Sequence, residues 1–141
     1  MSKPKLIPHQ LTKNVKLLHK AAIVVENQVL ILRRSQEAKS RPGKWDLPGG
    51  NSEWPLNLTD FSKNPHRLDV AREIKEETGL VVKPDVFSLD NLVYFATYFN
   101  PDKQIYSVNC GWQVVDLVRV PQDTVKISQE HTQFRWISLD E

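Results

Sequence analysis

Arg72-Glu73-Ile74-Lys75-Glu76-Glu77-Thr78-Gly79-Leu80 places three carboxylates at positions 73, 76 and 77. That spacing is i, i+3, i+4, so on a helix the three share one face. At about 100° per residue, their arc is largely separate from Val70, Ala71, Ile74 and Thr78, which form a stripe for burial. Like charges this close weaken a bare helix by roughly a few tenths of a kcal/mol per pair. A hard divalent cation reverses that sign, because it takes carboxylate oxygens and keeps positions for water or phosphate. Taken alone, Glu-x-x-Glu-Glu favours a plain solvated face; its surroundings favour metal.

The ends of the segment define a helix over about 65–78. Asn64 suits the N-cap, and Pro65 suits the first helical position, where a missing N–H costs nothing. Gly79 suits the left-handed position that closes a helix. Upstream lies Trp45-Asp46-Leu47-Pro48-Gly49-Gly50. A Pro-Gly-Gly turn lets backbone carbonyls approach a ligand that bulkier residues would hold off.

Around this helix the chain reads mostly as strands. Ala21–Glu26 and Gln28–Arg33 are β-rich runs split by Asn27, the pattern of a tight hairpin. Ser35–Gly43 is a polar, basic loop. Leu92–Phe99 and Ile105–Val120 are strand candidates joined by Asn100-Pro101-Asp102-Lys103, and Thr124–Ile127 and Phe134–Ile137 complete the set. One helix among many strands, joined by hairpins and a crossover, gives an α+β sandwich with a mixed β-sheet.

At 141 residues the chain falls in the single-domain range, with 1–16 expected as an N-terminal extension. A net charge of +2 is mildly basic and falls short of a nucleic-acid-binding stripe, so no polymer partner is expected. The single cysteine, Cys110, excludes an intrachain disulfide and a Cys-rich zinc site, and reads as a small core residue. Residues 1–10 lack the apolar run of a signal peptide and no stretch is long enough to span a membrane, so the expectation is a cytoplasmic protein without a membrane partner.

Gly50 followed by Arg72–Leu80 resembles the box that defines the Nudix hydrolases. That pattern runs Gly, five residues, Glu, seven residues, then Arg-Glu-apolar-x-Glu-Glu-x-Gly-apolar, and its second half matches at every specified position. Leu47-Pro48-Gly49-Gly50 is similar to the usual lead-in. Val29–Arg34, Arg41–Trp45 and Phe134–Ser138 resemble flanking segments of the family, so most of the chain from about Ala21 onward is covered. The departure is equally plain. Gly50 and Arg72 are 22 positions apart instead of 14, which inserts eight residues after Glu53, within Trp54–Lys63. Asn64 stands where the family has its first Glu, a mainly structural position for which Asp60 is a candidate substitute.

The resemblance implies a Nudix-like α/β/α sandwich and metal-assisted hydrolysis of a diphosphate. Glu76 and Glu77 become the principal Mg²⁺ ligands (Mn²⁺ is the alternative), with the Gly49 carbonyl contributing. Glu73 becomes a further ligand or the base that orients water. Glu130 stands where many relatives carry an acidic ligand or base, and an ordinary surface charge explains it equally well. Arg72 is expected to pair with a helix carboxylate. Arg34 is a candidate for substrate phosphates or base, Trp45 for core or pocket wall, and Trp54 for stacking on a base. His9, His19, His66 and His131 show no ligand spacing and are read as non-catalytic. The expected activity is pyrophosphohydrolysis of a nucleoside diphosphate derivative, with a nucleoside triphosphate, oxidised ones included, as first choice. ADP-ribose or a nucleotide sugar comes next, and the contrasting reading is a Nudix-fold sensor without turnover. A homodimer is compatible with these features. Ser138-Leu139-Asp140-Glu141 has the form of a capping box, so a C-terminal helix is expected to begin there and to be cut short.

Overall fold

The computed structural model describes residues 14–52, 63–116 and 124–140. The insertion residues Trp54 and Asp60, the N-terminal His9 and the terminal Glu141 lie outside that set. The described elements are β1 (Asn14–Val25), β2 (Gln28–Arg34), β3 (Trp45–Asp46), β4 (Gly49–Asn51), α1 (Arg67–Thr78), β5 (Leu92–Asn100), β6 (Ile105–Val115) and β7 (His131–Ser138). Seven strands form one sheet in the order β3-β2-β1-β6-β5, with β4 also on β1 and β7 also on β2. β1 and β6 run parallel from Asn14↔Ile105 to Val24↔Val115, and the other pairings are antiparallel. The α+β expectation with a mixed sheet therefore holds, with α1 its one α-helix among the described residues.

The Asn27 hairpin is as expected. Glu26 and Asn27 both take positive φ, 49° and 64°, and Val25 pairs with Gln28. Two such residues make the primed turn whose twist matches that of the flanking strands. β1 is longer than its apolar run implied. It starts at Asn14, so residues 14–16 belong to the sheet and not to an extension. Lys16, His19 and Lys20 interrupt the apolar pattern, but the parallel ladder with β6 keeps the backbone extended throughout. β6 stops at Val115 because Asp116 turns to φ 53°. The Asp116 side chain then accepts the Glu26 N–H at 3.1 Å.

Two local expectations need correction. Asn64 does not cap α1: the capping position is His66, and no side chain bonds there. Instead Asn64 Oδ1 accepts the His66 N–H at 3.1 Å, and its Nδ2 donates to the Phe87 carbonyl at 2.8 Å. Asn64 thus ties the approach to the helix onto the core. The second correction concerns 124–127, expected as a strand. Its backbone leaves the sheet to let Lys126 N–H bond the Thr78 carbonyl at 2.8 Å, satisfying the end of α1. Val125 is buried in the core and Ile127 packs against it. Gly79 closes the helix as expected, in the left-handed conformation with its N–H on the Lys75 carbonyl.

The core lies between α1 and the sheet. Val70 and Ile74 of α1 meet Ala21, Ile23, Leu30, Leu32, Trp112 and Val114 of the strands, with Leu80, Val82 and Phe87 filling in beyond the helix end. Phe87 packs edge-on to Trp112 with centroids 5.9 Å apart. Cys110 packs against this cluster, as its sequence context implied.

A polar pocket interrupts the core. His19 is 3% exposed, its Nδ1 accepts the Trp112 Nε1–H at 3.0 Å, and its ring lies 5.9 Å from that of His66. Burial, then the charge of His66, pull its pKa down from 6.5 to about 4, against an opposing pull from Asp69. The folded state therefore binds fewer protons here than the unfolded chain between those values, and this contribution is lost as pH falls from about 6.5 towards 4. His19→Gln, which cannot charge, should flatten the drop in urea-unfolding stability over that window by about 2–3 kcal/mol. An unchanged pH slope in the variant would show that His19 stays uncharged for no energetic reason of its own.

Candidate active site

The helix, the Gly-Gly strand and the loop before β7 converge on one cleft. Glu73, Glu76 and Glu77 line it with Ser128, Gln129 and Glu130. The cleft continues across β1 and the basic loop, lined there by Lys16, Leu18, Lys20, Arg34, Arg41, Gly49 and Gly50. Four carboxylates and four cations therefore share one opening.

Glu77 is the anchor. It is 6% exposed, and its Oε2 accepts the Gly49 N–H at 2.8 Å. Burial raises its carboxyl pKa to about 7, with Glu73 and Glu130 adding to the rise and the Gly49 amide and Lys20 opposing it. A carboxyl this buried is not part of a solvated acidic face. Glu73 is also raised above its ordinary range, by burial first and by Glu76 and Asp69, with Arg72 acting the other way. Glu76, in contrast, stands towards solvent and accepts from Arg72 at 2.8 Å.

Arg72 binds three helix carboxylates: Asp69, Glu76 and, at 3.3 Å, Glu73. Those bonds raise its pKa, with Asp69 the largest cause. This matches the expected pairing and extends it to Asp69. A guanidinium fork holding several carboxylates fixes their rotamers as a point charge would not.

Two glycines set the distance between turn and helix. Gly49 has φ 148°, and a Cβ there would lie 1.9 Å from the His19 carbonyl oxygen. Only glycine fits beside that backbone. At Gly50 a Cβ would sit 2.9 Å from Glu73 Oε2, so the missing side chain leaves room for that carboxylate.

Lys20 and Asp46 are the groups that sequence reasoning gave no role. Lys20 Nζ contacts Asp46 Oδ2 at 3.0 Å and donates to the Leu47 carbonyl at 3.2 Å, while Arg41 reaches the same oxygen at 2.8 Å. Burial opposes ionisation of Asp46, but Lys20 and Arg41 outweigh it and hold the carboxyl below its usual range. The available signal was a lysine inside the apolar run from Leu17 to Ala22, an expensive residue for a half-buried strand. Arg34 lines the cleft, and its Nε donates to the Ser40 carbonyl at 2.8 Å. Trp45, expected in core or pocket wall, is not in the core; it is 36% exposed on β3, with the Arg135 guanidinium 6.0 Å from its ring centre.

Comparison with known proteins decides the family. The NUDIX domain matches residues 17–141. This chain belongs to the Nudix family. No curated protein sequence matches it significantly. Among solved structures it is similar to the MutT protein of Methanosarcina mazei Go1, with 28% identity, TM-score 0.65, and 93% of this chain and 82% of that one covered. The MutT NUDIX hydrolase of Burkholderia pseudomallei shares the fold at 23% identity and TM-score 0.61, over 92% and 87% of the two chains. A bifunctional NMN adenylyltransferase/ADP ribose pyrophosphatase of Francisella tularensis, complexed with AMP and a manganese ion, shares it at 19% identity and TM-score 0.56, over 90% of this chain and 35% of that one.

As a Nudix hydrolase, the chain is an enzyme of the class that acts on acid anhydrides in phosphorus-containing compounds, and the family generally uses divalent metals. The donor set fits a hard cation in kind, since the described residues lining the cleft offer carboxylate and backbone oxygens and no thiol or imidazole. Among the described residues, no three of these side chains already stand at ligating distance of one point. Arg72 and the Gly49 amide hold part of the carboxylates' capacity instead. No helix among the described residues is long and apolar enough to cross a membrane.

The two glycines should separate structure from chemistry. Gly49→Ala forces backbone against backbone and should lower stability by more than about 2 kcal/mol. Gly50→Ala meets only the end of a flexible side chain and should stay within about 1 kcal/mol of the parent. Thermal unfolding of both variants checks this; equal losses would remove the argument for Gly49.

Proposed function

We propose that this Nudix hydrolase is a Mg²⁺-dependent pyrophosphohydrolase that cleaves the diphosphate linkage of a nucleoside diphosphate derivative. Its first substrate class is the nucleoside triphosphates, oxidised ones included. What supports this most directly is that Glu73, Glu77 and Glu130 share a cleft with Lys16, Lys20, Arg34 and Arg41. A diphosphate bears charge that cations must neutralise, whereas the acids have no use for an anion unless a metal stands between them.

Glu73, Glu76 and Glu77, with the Gly49 carbonyl, would hold Mg²⁺. When bound, the ion neutralises diphosphate charge and lowers the pKa of water. Lys20 and Arg34 bind and orient the phosphate chain, and the clamp of Asp46 on Lys20 and Arg41 fixes where those charges point. Arg72 keeps the helix carboxylates in position. A carboxylate oxygen of Glu73 or Glu130 takes the proton of the attacking water. The Glu77 carboxyl, buried and raised towards neutrality, is the one most changed by a cation, because a positive charge offsets the burial that holds its proton.

Glu77→Gln keeps the side-chain shape and helix propensity nearly unchanged. It should cut Mg²⁺-dependent turnover by about 10²-fold or more while leaving the fold intact, because a charged ligand is lost. Phosphate release from nucleoside triphosphates, ADP-ribose, dinucleotides and nucleotide sugars, with Mg²⁺, Mn²⁺ or EDTA, measures it. Unchanged activity in the variant would sink the metal assignment. Tight nucleotide binding with no hydrolysis of any compound would favour a sensor.

A second comparison assigns the base. Glu73→Gln and Glu130→Gln should both fold, and the variant lacking the base should lose the acidic limb of its pH–rate profile; Mg²⁺ affinity should weaken in Glu73→Gln, which also removes a ligand, and stay unchanged in Glu130→Gln. If both profiles keep that limb, neither residue takes the proton.

A further inference from the structure

The far margin of the sheet carries side chains that the cleft does not use. Val93, Tyr94, Phe95, Tyr98 and Phe99 of β5 are all exposed, with Tyr94, Phe95 and Tyr98 at 59%, 62% and 60%. β5 is the last strand in the sheet order and, among the described residues, pairs only with β6. Its other backbone edge is therefore open there.

Successive side chains of a strand point to opposite faces. Tyr94 and Tyr98 thus stand on one face, and Phe95 and Phe99 on the other. A small ligand lying on one face would cover only one of these rows. A further strand laid along the edge covers both, and also takes up the open backbone groups.

Exposed edges are normally protected by charge, proline, bulges or shortness. Leu92–Asn100 has nine residues, with no Lys, Arg, Asp, Glu or Pro. Its one register irregularity lies at the Leu92/Tyr94 end. By contrast, β3 at the opposite margin is two residues long and contains Asp46. Among the described strands with one partner, β3 and β4 are short and β7 carries Arg135, whereas β5 has none of these protections.

We propose that the β5 edge is the interface between two copies of this chain, which pair antiparallel about a two-fold axis at Ala96. In that register Tyr94 of one copy lies opposite Tyr98 of the other, Val93 opposite Phe99, and Phe95 opposite Thr97. Each apolar side chain then meets an uncharged one, and no like charges oppose each other. Such a contact is self-complementary, as a closed two-fold interface requires. The five side chains expose roughly 600 Å² per copy, of which an edge-to-edge pairing covers the flanks that face the partner strand, and the paired backbone adds to that contact. With a net charge of only +2 per copy, electrostatic repulsion opposes the pairing weakly. The joined sheet leaves the carboxylate cleft of each copy open, because the described residues lining that cleft come from α1, β1, β2, β4, the basic loop and the loop before β7, and none from β5. The proposal therefore stands or falls independently of the hydrolase reading.

Sedimentation velocity on the full chain, from low to high micromolar concentration, tests it. The expected species has twice the 16.3 kDa mass of one chain. Tyr98→Lys and Phe95→Lys place a charge inside the contact and should each return the protein to one-chain mass at every concentration, with circular dichroism unchanged. Val81→Lys, on an exposed residue outside β5, should leave the dimer intact. A monomer at high concentration overturns the proposal and leaves the edge to some other partner. Open-ended aggregation, or a dimer indifferent to both β5 substitutions, overturns it too. If the variants fail to fold, hydrogen exchange on the parent decides. Protection of β5 amides that rises with concentration supports the interface, and concentration-independent exchange overturns it.

Discussion

The hydrogen bond from the Gly49 N–H to Glu77 joins the two halves of the site, at 2.8 Å and out of solvent. One end is a turn pinned to β1, where Gly49 pairs with Lys20 and Gly50 with His19. The other is the last turn of α1, where Glu77 borders the stripe that carries Val70 and Ile74 into the core. A buried carboxylate without a partner would cost several kcal/mol or take up a proton. The amide meets part of that cost, and burial still lifts the Glu77 carboxyl to about 7. Core packing and candidate chemistry therefore share one helix: the apolar stripe sets its distance from the sheet, and that distance sets where the acids stand.

Charge in the cleft is organised in two layers. Acids come from the helix and from the loop before β7; cations come from β1, the end of β2 and the basic loop. Each layer is braced from behind by the opposite sign, Arg72 behind the acids and Asp46 behind Lys20 and Arg41. The exposed Arg72–Glu76 pair among these adds little stability, about a few tenths of a kcal/mol. Their effect is to restrict rotamers of long side chains, which is the entropic part of positioning a substrate.

The sheet is uneven in its defences. On the side of β1 and β2, α1 and the strand-free segment 124–127 cover the apolar residues, and Val125 is buried there. On the β5 side the strand continues past that cover with aromatic residues on both faces. The same alternation that buries Trp112 and Val114 under the helix leaves Phe95 and Phe99 outside it, because the sheet is wider than one helix.

The sequence by itself determined the helix, its acidic face and its family. The signal there is local: i, i+3, i+4 spacing and a closing glycine depend on neighbours within two turns. The Asn27 hairpin and the strand runs Gln28–Arg33, Leu92–Phe99 and Phe134–Ile137 were legible for the same reason, and the structure extends each of these strands, the last one at both ends. Only the tertiary structure decided that Asn64 bonds to Phe87 and does not cap the helix, that 124–127 serves the end of α1 and not the sheet, and that Trp45 lies outside the core. It also brought Glu130, 53 positions beyond Glu77, to the same opening, and gave Lys20 a partner in Asp46. These are contacts between residues far apart in the chain. Hydrogen-bond competition and the distance between packed layers set them, and neither quantity is written in local spacing.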